Sequence, residues 1–156
     1  MRVATWNQSK WLTMSSCFFL FPAIYASQNG LHKYSGVLIA TSLISANYWR
    51  KATYSWRRNA DLIMSKIAFV IFVTNGIYYA VPTKNEWDSG STVTTNMIIK
   101  LVGFCMVCYF YHKSYALFHL NNEHWVAHHF MFHCALTIEQ YLILQSVMQR
   151  TSCDVY

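Results

Sequence analysis

Histidines are concentrated in one stretch of the chain, and their spacing is the first feature that indicates chemistry. Six of the seven lie between positions 112 and 133, namely His112, His119, His124, His128, His129 and His133. On a helix, residues four apart share one face about one turn apart, so His129 and His133 are spaced to hold one metal ion together. The same spacing also suits a solvated amphipathic turn or a set of hydrogen-bonding groups, and both alternatives stay open.

The order of the apolar segments predicts that Ser45 and Asp61 lie close to these histidines. If the apolar segments alternate in direction, Ser45, Asp61, His129 and His133 all fall near the same end of the helices, at similar depth. In such a cluster the histidines would hold zinc and the metal would acidify a water molecule. Asp61 would act as a base or would orient the water, and Ser45 would stabilise an oxyanion. These four residues form the predicted site.

The composition of the chain indicates which elements must position this site. Of 156 residues, 54% are hydrophobic and 12% are charged, whereas soluble domains carry about 25% charged residues. Six acidic residues and twelve basic ones are too few to cover a soluble surface of this size. The composition predicts an all-α, multipass transmembrane helical bundle that forms a single domain over residues 1–156.

Apolar blocks set the expected spans, because a helix needs about 20 mainly apolar residues to cross a bilayer. We predict about five spans, with four or six as alternatives, near residues 11–26, 34–49, 62–81, 97–111 and 126–147. Segment 114–120 either extends the fourth span or lies at the interface. Either residues 11–26 form the first span, or residues 1–26 act as a cleaved signal peptide.

Charge and tryptophan placement predict the orientation. Arg50, Lys51, Arg57 and Arg58 lie between the second and third blocks, and positive loops stay in the cytoplasm. The N-terminus and loop 50–60 are therefore expected in the cytoplasm, the loop Pro82 to Thr95 and the C-terminus outside. All six tryptophans lie at or beyond block ends, where amphipathic rings favour the headgroup region. The net charge of +6 thus indicates topology, and no nucleic-acid partner is expected.

Three short motifs resemble those of the alkaline ceramidase superfamily of seven-helix membrane hydrolases. Ser45-Ala-Asn-Tyr-Trp49 stands at the family's Ser-x-x-x-His motif, Asp61 at its acidic motif, and His129-Phe-Met-Phe-His133 at its final His-x-x-x-His. The resemblance implies a zinc-dependent amide hydrolase with a lipid substrate. Trp49 replaces the third zinc-binding histidine, although His112, His124 or His128 are alternative ligands, and the chain is about two helices shorter than the family.

The sequence leaves three functions open. The first is a small multipass membrane protein without catalysis, a membrane subunit or interaction partner that contacts the bilayer and a second membrane protein. This first function also covers a relative of these hydrolases that has lost catalytic activity. The second is a zinc-dependent hydrolase of lipid amides. The third is a proton or ion pathway through Asp61, Glu139, Lys66 and the histidines, because ionisable residues inside membrane spans are costly and usually functional.

Overall fold

The computed structural model describes residues 3–80 and 91–153, and most of these residues lie in helices. Their order along the chain is α1 (Trp6–Ser16), a short 3₁₀ turn (Cys17–Phe19), α2 (Leu20–Gln28), α3 (His32–Trp49), α4 (Trp56–Ala80), α5 (Ser91–His119) and α6 (Trp125–Cys153). The all-α prediction is confirmed for the described residues. The predicted outer loop falls partly outside them, at residues 82–90 together with Trp87, and so does the end of the C-terminal tail.

Capping, proline and glycine residues account for several helix boundaries. Thr5 and Gln8 form a capping box at the start of α1. Pro22 lacks an amide hydrogen and its ring crowds the carbonyl four residues back, which accounts for the 3₁₀ turn between α1 and α2. Gly30 follows α2 with φ of 75°, a left-handed conformation that lets the chain reverse into α3.

Over the described residues, each predicted apolar block lies inside one helical segment, and the segments extend beyond the blocks; the last residue of the third block, position 81, lies outside the described residues. The first block spans α1, the 3₁₀ turn and α2, so one bent segment runs over 6–28. α5 begins at Ser91 within the predicted outer loop, and it continues to His119. Residues 114–119 of segment 114–120 therefore continue α5, the helix that contains the fourth block.

α3 and α6 organise the bundle. α6 packs against α1, α2, α4 and α5, while α3 packs against α1, α2 and α4. α5 packs mainly against α6, so much of its surface faces outward.

Two apolar clusters fill the interior at different heights. One contains Leu12, Trp49 and Trp125, and the other contains Leu38 and Leu144. Most of the buried polar residues of these helices, such as Ser15 and Ser16 on α1, Ser42 and Ser45 on α3, and His133 on α6, lie between the two clusters along the chain, so a polar layer separates two apolar ones.

Large apolar side chains cover the outside of α4 and α5. Examples are Val70 and Ile77 on α4, and Leu101 and Tyr109 on α5. Among the described residues, one helix is long and apolar enough to cross a membrane by composition. This helix is α4 over Trp56–Tyr79. Its most apolar stretch has a mean hydropathy of 1.6, and only 11% of that stretch is buried inside the bundle.

The tryptophans divide into two groups. Trp6, Trp11 and Trp56 are exposed. Trp49 and Trp125 instead turn inward, where their ring centroids lie 6.1 Å apart. These two rings lie at block ends, as the other tryptophans do, and they are buried because the end of α3 and the start of α6 meet in the apolar cluster that contains Leu12.

Candidate functional site

The four predicted site residues lie on helices that converge in the polar layer. Ser45 is near the end of α3, Asp61 is in the second turn of α4, and His129 and His133 are in the first turns of α6. Ser45, Asp61 and His133 are buried. The ring centroids of His129 and His133 are 4.9 Å apart, as the i, i+4 spacing predicts.

Ser16 of α1 forms a hydrogen-bonded contact with Ser45 of α3. Its Oγ donates to the carbonyl of Leu12 at 2.8 Å and lies 3.1 Å from Oγ of Ser45. The carboxyl of Asp61 interacts with the side chain of Ser45. Side chains from α1, α3 and α4 therefore meet in one polar group.

Ser15 connects His133 to the same group. Its hydroxyl donates to the carbonyl of Leu12 at 3.1 Å, and its Oγ lies 2.8 Å from Nδ1 of His133. The contact between Ser15 and Nδ1 fixes the orientation of the imidazole ring of His133 inside the bundle.

His129 has the same kind of partner on α5. Oγ of Ser114 donates to the carbonyl of Trp125 at 3.2 Å and lies 3.3 Å from Nδ1 of His129. This contact orients the ring of His129 from α5, as Ser15 orients that of His133 from α1. A hydrogen bond at the other ring nitrogen is how proteins orient histidines for a metal or a proton.

Trp49, which stands at the motif position where the resemblance expects a third histidine, packs beside His129. Its ring packs 5.1 Å from that of His129, edge to face. Its indole Nε1 is buried and has no hydrogen-bond partner in the described part of the chain. An indole nitrogen carries a proton and no lone pair for a metal.

The remaining histidines do not complete a ligand set. His112 and His124 are exposed, and Nδ1 of His128 lies 2.9 Å from the backbone carbonyl of His124. Across residues 3–80 and 91–153, no group of three or more His, Cys, Asp or Glu side chains is placed to hold a metal ion. The residues present therefore do not fit the three-histidine zinc site that the resemblance implies.

The residues named for an ion pathway are also dispersed. Asp61 faces the interior of the bundle, whereas Lys66 lies on the exposed surface of α4. Glu139 is buried much farther along α6, where its carboxylate packs against Gly103 of α5 and interacts electrostatically with Lys100.

Sequence reasoning missed three serines that connect the cluster, Ser15, Ser16 and Ser114. The first two are a pair of hydroxyl residues inside an apolar block, which is a detectable signal. Ser114 has no such signal, because it lies in a segment that the sequence left between a helix and an interface. No protein-family model matches the chain, and no curated protein or solved structure shows significant similarity to it.

Proposed function

We propose that this protein is a five-span helical membrane protein without catalytic activity that serves as a membrane subunit. The observation that carries the proposal is the reversed distribution of polarity. Ser15, Ser16, His133, Glu139 and other polar residues are buried, while large apolar residues cover α4 and α5. An apolar exterior of this extent is stable in lipid and prone to aggregation in water.

The ends of the helices support the proposed orientation. The backbone amide of Val3 donates to the carbonyl of Ala52 at 2.8 Å, so the N-terminus and the turn after α3 lie at one end of the bundle. Arg50, Lys51 and Arg57 are at this end. By the positive-inside rule it faces the cytoplasm, and five crossings then place the C-terminus outside.

The polar cluster acts in this proposal as an interhelical lock. Ser15 and Ser16 each donate to a main-chain carbonyl and also contact His133 or Ser45 across a helix boundary. Trp49 closes the side of the cluster next to His129.

The exposed surface of α5 supports the subunit role. This helix is held mainly by α6, and it presents Tyr109, Tyr111 and Tyr115 outward. Aromatic residues are enriched in protein interfaces. A second membrane protein that packs on α5 would cover this surface.

Membrane extraction tests the first part of the proposal. The protein should remain in the pellet after alkaline carbonate treatment and enter solution with detergent, because its apolar exterior is covered by lipid. Release by carbonate alone would contradict the five-span arrangement. An N-terminal epitope tag should be protected from protease in sealed cells and cleaved after permeabilisation.

Purification in a mild detergent tests the subunit role. We expect a second membrane protein to co-purify at constant stoichiometry, and substitution of Tyr109 and Tyr115 by leucine to reduce its recovery. Leucine retains the apolar character of α5, so membrane insertion should be unchanged. A monodisperse monomer that carries no partner would count against the subunit role.

A zinc-dependent hydrolase of lipid amides is the second candidate, and the two neighbouring imidazoles of His129 and His133, with ring centroids 4.9 Å apart, favour it. The incomplete ligand set, with Trp49 at the third place, argues against it. Metal analysis of the purified protein separates the candidates. One zinc per chain that is lost in His133→Ala would support the hydrolase, and folded protein without zinc would support the non-catalytic role.

A further inference from the structure

A basic groove lies at the proposed cytoplasmic end of the bundle, apart from the polar cluster. It has a volume of about 480 Å³ and lies between the start of α1, the turn after α3 and the start of α4. Arg50, Lys51 and Arg57 line it, with the hydroxyl residues Ser9, Thr53 and Ser55.

The charge of this groove is not balanced by its own lining. No acidic side chain is among the described residues that form it. Asp61 is the nearest carboxyl along α4, and it faces inward toward Ser45. Three cations without a local carboxylate favour an anionic ligand.

Two helix N-termini add to the positive potential. Trp6 is the first residue of α1 and Trp56 is the first residue of α4, and both line the groove. Neither helix has an acidic residue in its first turn. The N-terminal end of a helix carries a partial positive charge and favours phosphate.

The position of the groove along the bundle axis, at the end of the apolar segment of α4, is the second argument for its ligand. Trp56 is also the first residue of the apolar segment that is long enough to cross a bilayer. Trp6 and Trp56 are both exposed, as expected for aromatic rings at the headgroup level. If α4 spans the membrane, the groove lies beside lipid headgroups rather than in open solvent.

We propose that this groove binds the phosphate headgroup of an anionic phospholipid of the cytoplasmic leaflet. Arg50 and Arg57 pair with the phosphate oxygens, and Trp6 and Trp56 rest against the lipid below the headgroup. Guanidinium groups suit this role because their fork of donors matches phosphate oxygens. The inference rests on the proposed membrane location and adds a ligand that the location alone does not specify.

Retention of lipid by the purified protein tests the proposal. The protein is equilibrated in mixed micelles with equal amounts of phosphatidic acid and phosphatidylcholine, and the lipids that remain bound are counted by native mass spectrometry. The wild-type protein should retain phosphatidic acid preferentially. Each basic residue near a membrane surface contributes severalfold to anionic lipid binding, so Arg50→Gln with Arg57→Gln should lower the preference at least about fivefold.

A charge-matched control keeps the result specific. Lys33 and Lys113 are exposed and lie outside the groove, so Lys33→Gln with Lys113→Gln removes the same charge. This control should keep the wild-type preference. An equal loss in both double variants, or no loss in either, would overturn the groove as a site.

Further conditions separate the remaining explanations. Displacement of phosphatidic acid by millimolar inorganic phosphate would assign the groove to a soluble phosphate and overturn the lipid source. A protein that requires detergent but shows no headgroup preference would refute this inference alone. A protein that is stable and monodisperse without detergent would refute the membrane proposal itself.

Discussion

Replacement of Ser15 by alanine tests whether the polar cluster locks the helices together. The Ser15 side chain is fully buried, and its Oγ lies 2.8 Å from Nδ1 of His133. The substitution removes one oxygen atom and leaves Nδ1 without its partner in a site where the imidazole is 3% exposed. The helical backbone is unaffected, because alanine is a better helix former than serine.

Two typical free energies bound the loss of stability that we expect for Ser15→Ala. A buried polar group left without a hydrogen bond costs about 1–3 kcal/mol. Hydrogen bonds between helices in a membrane average about 0.6 kcal/mol and reach about 1.7 kcal/mol. Since His133 is nearly inaccessible, we expect a loss of about 1–2 kcal/mol in the free energy of unfolding, close to the upper membrane value.

Reversible unfolding by SDS in mixed micelles measures this loss. Trp49 and Trp125 lie together between α3 and α6, so their fluorescence should change when these helices separate. Ser146→Ala is the matched control, because the hydroxyl of Ser146 donates to a carbonyl of its own helix, that of Leu142. The control should change stability by less than about 0.5 kcal/mol.

Equal effects of Ser15→Ala and Ser146→Ala would refute the interhelical lock. A double-mutant cycle with His133→Phe then isolates the pair, since phenylalanine keeps a ring and removes both nitrogens. A coupling energy near zero would show that the 2.8 Å contact between Ser15 and His133 contributes nothing to stability.

The same unfolding measurement checks three further predictions. Trp49→Phe should change stability by no more than about 1 kcal/mol, because the relief of the unpartnered buried N–H offsets part of the buried ring area that is lost; a loss of about 3 kcal/mol or more would contradict this balance. Leu38→Ala should cost about 2–5 kcal/mol, because Leu38 is fully buried, whereas Leu43→Ala on the exposed side of α3 should cost much less; similar costs would contradict the packing of α3. Gly30→Ala should cost about 1 kcal/mol because of its positive φ, and Gly36→Ala, with open space around it, should be neutral or stabilising; equal effects would refute the left-handed turn.

The helices were the most predictable part of the fold. Each apolar block identified one helical segment, because long apolar runs without internal Gly or Pro clusters favour helices. The ends were less predictable, and α5 extends well beyond its block at residues 97–111. Polar residues such as Ser91 and Ser114 can be helical, so an apolar pattern marks the apolar part of a helix and not its whole length.

Part of the candidate site was also predictable. The i, i+4 spacing placed His129 and His133 side by side, because helix geometry alone decides that relation. The depth argument brought Ser45 and Asp61 toward each other, and their side chains interact. The metal site did not follow from the same motifs, since it also requires ligands from other helices.

Serine shows most clearly why the rest required the tertiary structure. Ser146 and Ser15 are both helical serines, and both donate to a carbonyl of their own helix. Only Ser15 also contacts a histidine, and that residue is 118 positions away along the chain. No local pattern distinguishes the two residues.

By itself, the sequence determined the helical character of this protein, the basic character of one end and the shared face of His129 and His133. These properties depend on residues that are neighbours along the chain. The tertiary structure decided that Trp49 and Trp125 turn inward, that Ser15 and Ser114 orient the two histidines, and that Arg50 and Arg57 line one groove. Each of these depends on how helices rotate and pack against one another, which is set by the sum of many side-chain contacts between distant segments.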